Sequence, residues 1–162
     1  MTIDRQNDPE FGATELEVNG VPCTTHADPR MPLLYYLRHD LGLKGTRFGC
    51  GSEGWVAGKK AFACTLPLEQ AAGASVQTIE CDDNIHVRTL KRAFVERLAG
   101  QCGYCLSGII MSAAALLARD ARPTREHIAQ ALGDNLCRCG AHPRILDAIE
   151  QAREELSQGA IA

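Results

Sequence analysis

The sequence has no marked excess of charge of either sign, no long apolar run and no stretch built like a secretory leader. Its 17 lysines and arginines stand against 20 acidic residues, a formal net charge of −3. Such a balance gives a nucleic-acid role no electrostatic support. No apolar run approaches the roughly 20 residues that cross a bilayer. Residues 1–12 are polar and mixed in charge, without an apolar h-region. The expectation is therefore a chain that stays in the cytoplasm. Export to the periplasm would require travelling folded with a partner that carries the signal. No phosphate loop of the Gly-x-x-x-x-Gly-Lys type and no nucleophile–base constellation stands out, so the chain is expected to perform no substrate chemistry of its own.

Cysteine is what the sequence does have. Eight occur in 162 residues, and without a leader they argue for thiols kept reduced or bound to metal, not for a disulfide framework. Four sit in two tight pairs, Gln101-Cys102-Gly103-Tyr104-Cys105 and Cys137-Arg138-Cys139-Gly140. Thiolates are soft ligands, and a four-thiolate set selects zinc or an iron–sulfur cluster. Spacing leaves three readings: a structural zinc, a [2Fe-2S] cluster, or unliganded thiols. The segment from Ser107 to Asp120 is too apolar for a zinc-knuckle linker and reads as a buried helix. A cluster enclosed between helices suits it better than an exposed zinc finger.

The strings QCGYCLSGIIM and NLCRCGAHPRI closely resemble the C-terminal domain of the iron–sulfur subunits of molybdenum hydroxylases, the xanthine dehydrogenase/aldehyde oxidase family. The form CRCGAHPRI is most similar to the isoquinoline oxidoreductase and bacterial aldehyde dehydrogenase branch. The resemblance implies that Cys102, Cys105, Cys137 and Cys139 hold a [2Fe-2S] cluster, and that Gln101 hydrogen-bonds a molybdopterin, in its cytosine dinucleotide form, on a large partner subunit. An amide suits that contact because it both donates and accepts. The implied work is electron transfer from the partner's molybdenum site to a flavin protein or a c-type cytochrome, during oxidation of an aldehyde or hydroxylation of an N-heteroaromatic.

The N-terminal half reads as the start of a β-grasp arrangement. Thr14–Val18 and Val21–Thr25 flank Asn19-Gly20, a strong hairpin signal. A helix is expected over residues 28–42, opened by Asp28 or Pro29, with Leu33, Leu34, Leu37 and Leu41 on one face and Gly42 at its end. Cys23 reads as a small apolar strand residue. Residues 45–64 resemble the plant-type ferredoxin loop of the same family, with Cys50 and Cys64 as first and fourth ligands of a second cluster. The loop is roughly six residues short of the plant-type spacing and lacks both middle cysteines. Either that cluster is lost, or the sequence omits a loop, or other residues complete an unusual site. Ser75–Glu80 alternates like a last strand, and residues 81–84 read as a linker.

Four helices are expected beyond it. The first, 86–99, places Leu90, Phe94 and Leu98 inward. The second, 107–120, is capped by Ser107. A short third is capped by Thr124, and the last has Pro143 in its first turn and Ile145, Leu146, Ile149 and Leu156 inward. The fold class is thus α+β: an arm at 1–12, a β-grasp, ferredoxin-like domain at 13–80, a four-helix-bundle [2Fe-2S] domain at 84–157 and a tail at 158–162. Two rivals remain, a zinc-stabilised interaction module and a stand-alone ferredoxin-like carrier.

Overall fold

The computed structural model describes residues 11–48 and 54–159. It is an α+β chain, a five-stranded mixed sheet followed by a cluster of helices. Strands β1 (Thr14–Val18) and β2 (Val21–Thr25) form the expected hairpin, paired from Thr14↔Thr25 to Val18↔Val21. Asn19 and Gly20 take φ of 51° and 81°, the left-handed pair that a tight two-residue turn requires. Thr14, Leu16 and Val18 are buried while Glu15 and Glu17 face out, the period-two pattern of a half-buried strand.

The sheet order is β2-β1-β5-β3-β4. Strands β3 (Gly54–Val56) and β4 (Lys59–Ala61) form a second hairpin, turned at Ala57 and Gly58 with φ of 51° and 75°. Strand β5 (Ser75–Gln77) runs parallel to β1 and antiparallel to β3. It is shorter than expected, because the chain turns at Ile79 and Glu80 and Cys81 N–H closes that turn onto Thr78 O at 3.0 Å.

The helix expected from Asp28 begins only at Leu33. Pro32 holds φ −57°, ψ 133° ahead of it, and a proline also drives the residue before it out of helical backbone. Asp28 instead accepts from the Arg30 N–H and guanidinium in a local turn. Helix α1 (Leu33–Tyr35) widens into a π turn over Tyr36–Asp40, closed by Leu41 N–H on Tyr36 O at 3.2 Å. Leu33, Leu34 and Leu37 are buried against Leu16, Val18, Leu68 and Val76. Each such side chain contributes about 1.5–3 kcal/mol. Gly42, at φ 69°, ends the element as expected.

Helices α2 (Ile85–Glu96), α3 (Leu106–Arg119), α4 (Arg125–Ala131) and α5 (His142–Gly159) follow. Helix α3 is buried along every residue from Ser107 to Leu117, as a helix apolar all round must be. It forms the axis of a core that includes Leu90, Phe94, Ile128, Ile145 and Ile149. Asn84 caps α2 through His86 and Val87 N–H, and Thr124 caps α4 through His127 N–H. Two expectations fail here. Leu98 is not inward: α2 stops at Glu96, and Leu98 takes φ 50° and is 72% exposed. Ser107 does not cap α3: Cys105 occupies the cap position and Ser107 Oγ has no hydrogen-bond partner among the described residues.

Candidate metal centre

The two cysteine pairs lie on the two turns that feed α3 and α5. Cys105 immediately precedes the first residue of α3, and Cys137 and Cys139 lie just before α5 begins at His142. Each cysteine turn thus runs straight into a helix start, the end of a helix where backbone N–H groups lack intrahelical partners and the dipole is positive. Gly103 and Gly140 take φ of 77° and 69°, a backbone that only glycine adopts without strain. A Cβ at Gly100 would stand 2.5 Å from Leu106 Cδ1, so the approach to the first pair is also close-packed.

Each thiol of one turn pairs with a thiol of the other. Cys102 Sγ and Cys139 Sγ are 3.5 Å apart, close to the roughly 3.7 Å edge of two thiolates about 2.3 Å from one tetrahedral metal. Cys105 and Cys137 are hydrogen-bonding neighbours across the two turns. Burial, with that bond second, pushes the Cys105 thiol up to about 11. Burial works against the Cys137 thiolate too, but it is outweighed by the Ala141 N–H, the Cys105 thiol and the N–H groups of Cys139 and Gly140, and Cys137 is held below the usual thiol value. Cys102 is lowered by the Tyr104 N–H and then by Cys139. Backbone donors aimed at sulfur stabilise negative charge there.

Among the described residues, no three histidine, cysteine or acidic side chains close around a position for a single metal ion. The four thiols, with amide donors from Tyr104, Cys139, Gly140 and Ala141 on them, are chemically suited to hold a [2Fe-2S] cluster. Cys105 and Cys137 are buried, Cys139 is half-buried and Cys102 is exposed. Gln101, Arg138, His142 and Arg144 are exposed beside the turns, and Leu136 is 72% exposed.

The sheet half reaches this site directly, which sequence reasoning missed. The Arg47 guanidinium donates to Gly103 O at 2.8 Å and lies 5.6 Å over the Tyr104 ring. Tyr104 Oη donates to Phe48 O at 3.0 Å. Trp55 Nε1 donates to Met111 O of α3 at 3.1 Å, and Lys60 pairs with Asp134, just before the second cysteine turn, at 3.2 Å. No spacing rule links residues some 56 positions apart. Of the two cysteines expected to hold a second cluster, Cys64 is half-buried against the sheet core. Cys50 lies outside the described residues.

Comparison with known proteins decides the family. Residues 76–150 match the [2Fe-2S] binding domain family, a span that encloses all four paired cysteines. A nicotinate dehydrogenase subunit from Pseudomonas putida is 42% identical, over 86% of this chain and 93% of that protein. The chain belongs to the iron–sulfur subunits of the molybdenum hydroxylases. The alpha subunit of isoquinoline 1-oxidoreductase of Brevundimonas diminuta is likewise 42% identical, over 87% of this chain and 97% of that protein. Quinoline 2-oxidoreductase of Pseudomonas putida superposes with a TM-score of 0.81 at 29% identity, covering 92% of this chain and 98% of its own. Aldehyde oxidases are among the other relatives. This iron–sulfur protein is accordingly part of a molybdenum-dependent oxidoreductase. None of its described helices is long and apolar enough to cross a membrane.

Proposed function

We propose that this subunit relays electrons through a [2Fe-2S] cluster held by Cys102, Cys105, Cys137 and Cys139, on a helical bundle that follows a β-grasp, ferredoxin-like domain. The observation that carries the reading is the cross-pairing of the two turns, Cys102 with Cys139 and Cys105 with Cys137, each turn running directly into a helix. When bound, the cluster supplies storage for one electron at a time. The chain's own residues set the conditions for that. The N–H groups of Tyr104, Cys139, Gly140 and Ala141 stabilise negative charge on sulfur, and such donors raise the potential of a cluster. The buried faces of Ile109 and Ile110 help keep water from the inner side. Arg138, exposed between two of the cysteines, adds positive charge.

The exposed edge bearing Gln101, Cys102 and Leu136 faces the large, molybdopterin-binding subunit in this reading, with the Gln101 amide on the pterin of a cytosine dinucleotide cofactor. The substrate is oxidised on that partner. An N-heteroaromatic is the favoured class, because the relatives named for nicotinate, isoquinoline and quinoline cover almost the whole chain. An aldehyde is the second reading, favoured by the aldehyde oxidase relatives. The electrons leave to a flavin protein or a c-type cytochrome. The cytoplasm suits thiols kept reduced for metal.

The test is metal analysis of the purified two-subunit complex, with Cys137→Ser and Cys139→Ser alongside. The reading expects iron and labile sulfide in equal amounts, lost in both variants while the subunits stay together. Zinc in a colourless complex would support the interaction-module rival. A lone redox-active monomer from the native source would support the stand-alone carrier.

A further inference from the structure

We propose that this chain carries one [2Fe-2S] cluster only, and that its sheet half serves as a brace for the two cysteine turns of that cluster. The inference rests on the ligand set proposed above and concerns what the rest of the chain has become.

A plant-type cluster takes four thiolates, three of them spaced C-x4-C-x2-C. Counted from Cys50, that spacing falls on residues 55 and 58, which are Trp55 and Gly58. Neither position is open to a ligand. Trp55 is a strand residue, opposite Lys60 on one side and Gln77 on the other, with its ring packed on the helical core. Gly58, at φ 75°, makes the turn of the β3–β4 hairpin. Strand pairing already begins at Gly54↔Ala61, so only residues 51–53 separate Cys50 from the sheet. Residues 51–63 contain no cysteine and no histidine.

The remaining thiols are committed elsewhere. Cys23 lies on β2, at the opposite edge of the sheet from β3 and β4, and donates to Val21 O at 3.4 Å. Cys81 is buried in the connection to α2. Cys50 and Cys64 alone supply half of a four-thiolate shell.

The same segment makes a set of contacts with a common destination. Arg47 and Phe48 hold the first cysteine turn at Gly103 O and Tyr104 Oη. Lys60 holds Asp134 at the approach to the second. Trp55 fixes α3 between them through Met111 O. The Arg47 stretch is itself pinned, with Arg38 donating to Lys44 O and Thr46 O, both at 2.6 Å, and Glu80 accepting from Gly45 N–H at 2.7 Å. Arg47, Phe48, Trp55 and Lys60 thus all reach the two cysteine turns or α3 between them.

The experiment uses the native complex. Iron, labile sulfide and the intact mass of each chain are measured on one sample, and the iron–sulfur electron paramagnetic resonance signal of the reduced complex is integrated. One cluster predicts two irons and two sulfides per chain at the mass of this sequence, and a single iron–sulfur species at one spin per chain. Cys64→Ser should leave all of these unchanged. Four irons, at this mass or at a mass larger by the missing part of a plant-type loop, would overturn the proposal while leaving the ligand set of the helical half intact. No iron would overturn both. The brace is read separately with Arg47→Gln and Trp55→Phe: iron loss to a chelator should be several-fold faster and the resonance signal altered, with Arg47→Lys recovering part of the effect. Wild-type chelation rates and signal in both variants would remove the brace.

Discussion

The two halves of this chain treat cysteine in opposite ways. In the helical half, four thiols meet across two turns, each turn is followed at once by a helix, and glycines with left-handed backbone bring N–H groups onto sulfur. In the sheet half, Cys23 and Cys64 are half-buried packing residues, each beside the sheet core. Among the described residues, then, thiols meet only where a second cysteine stands at short spacing, with a glycine between or beside the pair and a helix start just beyond.

The comparison breaks most sharply at the thiols themselves. Cys105→Ala should abolish iron binding and electron transfer altogether, checked by metal analysis and by reduction of the acceptor. Next in size are the cores. Ile109→Ala in α3 and Leu37→Ala under the sheet each remove a side chain at most 1% exposed, and each should cost about 2–5 kcal/mol in chemical denaturation. If the halves are functionally unequal, the Ile109 variant should also lose iron faster to a chelator, and the Leu37 variant should do so only through the contacts of Arg47 and Trp55.

Smaller effects sharpen the picture. Gly45→Ala would place a Cβ 2.2 Å from Ile79 Cγ2 and 2.8 Å from Glu80 Oε1, an overpacking worth about 1–3 kcal/mol, measured by thermal unfolding. Tyr104→Phe removes one exposed hydrogen bond to Phe48 O and should cost about 0.5–1.5 kcal/mol. Its cluster signal should shift less than that of Arg47→Gln, which loses both the bond to Gly103 O and the position over the ring.

Much of this was legible in the sequence because it is local. The Asn19-Gly20 turn, the all-round apolar α3, the Thr124 cap and the two cysteine pairs each follow from residues within a few positions of one another. What was misread depended on a single backbone choice. Pro32 delayed α1, and the left-handed Leu98 turned an apparent core position outward. What was missed altogether is long-range: Arg47 on Gly103 and Trp55 on Met111 join residues whose partners no periodicity announces. The family resemblance named Cys102, Cys105, Cys137 and Cys139, and the structure located the contacts that hold the sheet against their two turns.

The most direct test is to add isoquinoline and nicotinate, the compounds two relatives are named for, and an aldehyde, anaerobically to the two-subunit complex and follow the iron–sulfur absorption in the visible with whichever of them supports turnover. The account predicts bleaching in the wild type on the timescale of turnover. In Cys137→Ser it predicts no bleaching and no electrons delivered to the acceptor, although substrate still binds the large partner. Full-speed acceptor reduction by Cys137→Ser, with the cluster gone, would contradict it.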